Sequence, residues 1–181
     1  MIWKGGDGPR YGPPPEPLGL TVGLSVQSFA AGRITEAGLL DRLNDDLRQA
    51  RLFQGVMYPI PADFEPIWEL RLLVRDEVAE ADANFWKSAL ARVLFPLAFV
   101  TYFDTDYTLT LEALLTRNGE VVGSYASTSP IQYRFQVNTN VPQMETEGLE
   151  LIMRRASTAL IAEIARDAER IESEARQRAG S

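Results

Sequence analysis

The chain has 181 residues, of which 45% are apolar and 24% charged, the balance expected of one globular domain. It contains no Cys and no His. Disulfides, thiolate or imidazole metal ligands, Cys nucleophiles and His general bases are therefore excluded. The net charge of −7, from 18 basic and 25 acidic residues, argues against a nucleic-acid partner, because phosphate binding needs clustered positive charge.

Residues 1–17, MIWKGGDGPRYGPPPEP, hold Gly5, Gly6 and Gly8 and five prolines. Such a run cannot form a helix or a central strand and predicts an extended, solvated tether. It lacks an apolar h-region, so no signal peptide is expected within it. A cytosolic chain with a loose start and the mature form of an exported chain both fit. A single domain is expected over residues 18–172, with 173–181 as a charged helix end.

In LGLTVGLSV, Leu18, Leu20, Val22, Leu24 and Val26 alternate with small or polar residues, which predicts a strand over 18–26. Gly23 and Ser25 keep its other face slim, room for another element to lie close. A loop over 28–34 leads to Thr35, a suitable N-cap. Leu39, Leu40, Leu43, Leu47 and Ala50 then recur at helical spacing, predicting an amphipathic helix of about 18 residues ended by Gly55. Val56–Pro61 reads as a short edge strand.

Residues 67–78 alternate again, with Trp68, Leu70, Leu72, Val74 and Val78 on one face and Glu69, Arg71, Leu73, Arg75 and Glu77 on the other. Glu77, Glu80 and Asp82 mark an acidic turn. Residues 104–117 form the next strand. Asn118-Gly119 predicts a type I′ turn, which needs positive φ at both central residues. The return strand runs over Glu120–Thr128, with Ile131–Phe135 as a continuation past Pro130. Leu149, Ile152, Met153, Ala156, Leu160, Ile164, Ala168 and Ile171 define one long helix from about 145 to 176. Its charged second half is expected to project into solvent or onto a neighbour. The expected fold is α+β: a single mixed sheet of about five strands, mostly antiparallel, covered by two main helices.

Between the third and fourth strands lies NFWKSALARVLFPLAFVTYF, residues 84–103, with two charges, Lys87 and Arg92, and Pro96 near its middle. Those three residues make it a poor membrane span. A buried helix broken at Pro96 is one reading. The other is a contact element whose Phe85, Trp86, Leu90, Leu94, Phe95, Leu97 and Phe99 enter a membrane surface or a neighbouring subunit.

Asp104 and Asp106 share a strand face and are the candidate metal ligands; a solvated strand end that blocks edge pairing is the plainer reading. Glu77, Glu80 and Asp82 could form a weak cation site, with a solvated turn as the alternative. Ser25 lacks any His to activate it and is rejected as a nucleophile. No carboxylate pair stands out for glycoside cleavage. No catalytic residue and no cofactor are expected.

The order of elements resembles the small bacterial envelope lipoproteins built on the fold of the TolB amino-terminal domain, CsgG and PelC. The residues that carry the likeness are the opening strand Leu18–Val26 and the helix end Leu52-Phe53 with Gly55. Ala62–Phe64 precedes the next strand, Phe85–Phe103 leads into the Asn118-Gly119 hairpin, and a long helix closes the domain. The chain departs from that family in lacking a lipobox Cys. The resemblance implies a non-catalytic envelope component in the periplasm or at the outer membrane, assembling with itself, with other envelope proteins or with a membrane surface. The rival expectation is a cytoplasmic α/β domain that binds a small ligand or divalent metal through carboxylates, and possible catalysis goes with it.

Overall fold

A computed structural model describes residues 17–80, 87, 102–136 and 141–177. The elements in chain order are β1 (Leu18–Ala30), α1 (Glu36–Ala50), β2 (Phe53–Met57), β3 (Trp68–Glu80), β4 (Phe103–Arg117), β5 (Glu120–Phe135), α2 (Val141–Arg166) and α3 (Ala168–Gln177). The five strands form one sheet in the order β2-β1-β3-β4-β5. β1 is parallel to both β2 and β3, while β3, β4 and β5 are antiparallel neighbours with the longest ladders. This is the expected α+β arrangement with a mixed sheet.

The alternation along each strand decides which face is covered. Leu20, Val22 and Leu24, Leu70, Leu72 and Val74, and Leu109, Leu111 and Ala113 all point to one face and are buried. Leu39, Leu43 and Leu47 of α1 and Ile152, Ala156, Leu160 and Ile164 of α2 close over them. Thr35 caps α1 by accepting a hydrogen bond from the Gly38 amide at 3.2 Å. Asn118 and Gly119 both have positive φ, +49° and +83°, as the hairpin turn requires.

The structure departs from the sequence expectations in five places. β1 runs on to Ala30, through residues expected to be loop, because its pairing with β3 resumes after a register shift between Val26 and Ser28. α1 ends at Ala50 with Arg51 in the left-handed region at φ 50°, not at Gly55, which lies inside β2. β2 therefore spans 53–57, earlier than the Pro-bounded piece expected, although it is an edge strand as expected. Val78 does not join the buried face of β3 and is 41% exposed. The last helix breaks at Asp167, and its second part is no projection. α3 buries Ile171 completely, and Arg117 of β4 donates to the Glu174 carbonyl at 3.2 Å. β5 passes straight through Pro130, which an edge strand tolerates.

Candidate functional site

Phe85, Trp86, Leu90, Leu94, Phe95, Leu97 and Phe99 lie outside the described residues. Of residues 84–101 Lys87 alone is described, and its Nζ sits 3.2 Å from a carboxylate oxygen of Asp104. Arg134, directly across the β4–β5 ladder, donates to the other Asp104 oxygen at 2.7 Å. The Arg134 bond holds the Asp104 carboxyl below its ordinary range, against partial burial and with help from Lys87. Asp106 is exposed two residues on, opposite Ala79 and Gln132. An ion at this pair would have to displace two cations from Asp104. Among the described residues no group of three or more acidic side chains is placed to hold a metal. Glu77 lies within β3, exposed, and Asp82 is outside the described residues.

A concavity lies elsewhere, on the face of the sheet away from α1 and α2. The connection from β2 to β3 crosses that face over β1, as the two strands are parallel and flank β1. Gly23 makes the crossing possible: a Cβ there would lie 2.6 Å from Pro66 Cγ and 2.9 Å from Ile60 Cδ1. Where the crossing meets the β4–β5 turn it leaves a groove of about 500 Å³, lined among others by Ile60, Phe64, Pro66, Glu69 and Arg71. The Asn118 amide donates to the Ile67 carbonyl at 2.8 Å and fixes the turn against the start of β3.

The polar wall of the groove is locked. Ser25 Oγ donates to Glu69 at 2.6 Å, and Arg71 donates to the other Glu69 oxygen at 2.7 Å. Burial alone would raise the Glu69 carboxyl, but Ser25 and Arg71 outweigh it and hold it below the ordinary range. Ser25 is thus a committed donor to Glu69. The apolar wall is open: Phe64 is 47% exposed and neighbouring Ile67 61%. This groove was not singled out in the sequence. Its one local signal is the slim Gly23 face, which marks a close neighbour without saying which.

The other buried polar contacts tie the fold together. Tyr107 donates to Asp76 at 3.0 Å, and Asp76 also accepts from the backbone amides of Gly32 and Arg33, closing the loop after β1. Tyr125 donates to Asp167 at 2.8 Å, and Arg170 binds the same carboxylate. Burial, reinforced by the adjacent carboxylates, pushes both phenols far above their ordinary value. Neither reaches a reactive form near neutral pH. Among the described residues no helix is long and apolar enough to cross a membrane.

No family profile matches the chain, and no curated protein does. Its fold is similar to the minor lipoprotein from Acinetobacter baumannii, with TM-score 0.50 and 11% identity over 80% of this chain and 93% of that one. It is also similar to a neuraminyllactose-binding hemagglutinin homolog from Helicobacter pylori, with TM-score 0.52 and 15% identity over 94% and 96% of the two chains. A chain of the PelC dodecamer from Paraburkholderia phytofirmans superposes more loosely, at TM-score 0.38 and 14% identity over 89% and 98%. The first two likenesses establish a shared fold, one that occurs among bacterial lipoproteins.

Proposed function

We propose that the chain is a non-catalytic component of the bacterial cell envelope that works by contact, in assembly or trafficking at the periplasmic or outer-membrane side. The observation that carries this reading is the fold held in common with the Acinetobacter minor lipoprotein across 93% of that chain. The chemistry supports it: the chain has neither imidazole nor thiol, and the carboxylates Asp104, Glu69 and Asp167 are each held by arginine. In this reading Phe85, Trp86, Leu90, Leu94, Phe95, Leu97 and Phe99 supply contact with a second copy, another envelope protein or a membrane surface.

The test is subcellular fractionation of the chain expressed from its own locus, followed by sedimentation of the purified chain with and without anionic liposomes. Recovery in envelope fractions is expected, with a defined oligomer or liposome binding that Trp86→Asp with Phe95→Asp abolishes. Exclusive recovery in the cytosol as a monomer indifferent to liposomes would refute it.

A further inference from the structure

The two edges of the sheet are unequal. β2 is five residues long, and so short an edge resists pairing, whereas β5 runs for sixteen. From Gly123 to Phe135 its register with β4 is unbroken. Pro130 pairs with Thr108 in that ladder although it has no N–H, so its nitrogen faces away from β4. The alternation along an antiparallel strand then turns the N–H and C=O of Ser124, Ala126 and Thr128 outward as well. No backbone group among the described residues meets them. Their side chains are exposed, small and uncharged, and the strand carries charge only at Glu120 and Arg134. The edge is guarded at two points: Arg170 donates to the Val122 carbonyl at 2.9 Å, and Pro130 offers an acceptor without a donor. Between those guards lies an open template for one more strand.

The guards select the partner. If β5 meets β5 of a second copy antiparallel about Ala126, Ala126 faces its own counterpart, Ser124 faces Thr128, and Val122 faces Pro130. The first two pairings exchange N–H···O=C bonds in both directions. In the third, the missing Pro130 donor falls opposite the carbonyl that Arg170 already holds. Moving the centre towards Thr128 sets Pro130 against a free carbonyl. Moving it towards Ser124 sets the engaged Val122 carbonyl against a free N–H. Either shift leaves a backbone group unmet. No like charges meet along these pairs, although the chain as a whole carries −7. α2 packs on β4 as well as β5. With its axis between those strands, the two α2 helices lie about two strand spacings apart, ~10 Å, an ordinary helix–helix distance. We propose that β5 is a self-association edge, through which two copies join in this register into one continuous sheet. The pairing rests on the backbone of β5 and not on the envelope reading, so either can fail without the other.

The full chain has no Cys, so an introduced thiol reports on one position. On mild oxidation Ala126→Cys is expected to give a disulfide-linked dimer, because the Cα atoms of a hydrogen-bonded antiparallel pair lie ~5.5 Å apart. Ser124→Cys is expected to cross-link poorly alone and readily when mixed with Thr128→Cys. By sedimentation equilibrium, Ala126→Lys is expected to loosen the dimer about fivefold or more, since like charges then face each other, and an equimolar mixture with Ala126→Glu to restore it. A chain that stays monomeric at about 100 μM overturns the proposal. So does equal oxidation at positions 124 and 126, or a Lys–Glu mixture no tighter than Ala126→Lys alone. A dimer that Ala126→Lys leaves intact and Trp86→Asp with Phe95→Asp abolishes also overturns it, while leaving the envelope reading standing.

Discussion

Replacing Gly23 by Ala tests the crossing that builds the groove. A methyl group at this position would meet Pro66 Cγ at 2.6 Å and Cβ at 3.1 Å, and Ile60 Cδ1 at 2.9 Å. The Ile60 contact is the end of a flexible side chain and can rotate away. The Pro66 ring cannot rotate, so the crossing or β1 must shift. Overpacking of this kind costs ~1–3 kcal/mol. The smaller entropy of the unfolded Ala chain returns about 0.4–1 kcal/mol, leaving a net loss of about 1–2 kcal/mol. For a domain of this size that lowers Tm by roughly 2–8 °C. Gly19, on the same strand, has no heavy atom within 4 Å of its would-be Cβ. Gly19→Ala is therefore expected to be neutral or to stabilise by up to about 1 kcal/mol. Thermal and urea melts followed by circular dichroism read both variants. Pro66→Ala removes the nearest atom, so the double variant with Gly23→Ala should lose less than the sum of the single losses. Equal stability of Gly23→Ala and wild type, or equal losses at positions 19 and 23, would refute the close crossing.

Tyr125→Phe deletes a hydrogen bond to the Asp167 carboxylate and should cost about 1–2 kcal/mol by urea melt. Asp104 and Asp46 should give opposite pH dependences. Asp104 is held below its ordinary range, so its contribution is present above the unfolded carboxyl value and lost as pH falls through the folded one. Acid titration of Asp104→Asn should therefore show a deficit, on the order of 1 kcal/mol near neutrality, that closes below about pH 4. Asp46 is raised, chiefly by burial between α1 and α2, against the bonds from Arg42 and Ser157. Its ionised form is the disfavoured one in the fold. Wild type should gain on Asp46→Asn as pH falls through the folded Asp46 value, and the same melts at stepped pH check the sign.

The alternating runs of β1, β3, β4 and β5 and the Asn-Gly turn were legible because each is a local pattern with one buried face. β2 was misplaced by three residues because Pro59 and Pro61 read as strand boundaries, while the helix ended at Arg51 without a glycine. The break at Asp167 had no local signal: neither Gly nor Pro stands there. It coincides with Tyr125 and Arg170 converging on that carboxylate, contacts that sequence spacing does not encode. The groove is built the same way, from Ser25 meeting Glu69 across 44 residues and Gly23 meeting Pro66. Gly23 announced a close neighbour; only the crossing topology supplies its identity. The apolar stretch, the feature most visible in the sequence, has only Lys87 among the described residues before Tyr102.

The position of β1 has a mechanical consequence. It is flanked on both sides by strands that run the same way, β2 and β3. Tension applied at the start of the chain acts along β1 and loads both ladders in shear, many hydrogen bonds at once, instead of peeling them singly. β3 ends and β4 begins at the far end of the sheet, about 40 Å away along thirteen residues of β3. A domain held by its beginning would thus stay folded under load and present its opposite pole outward.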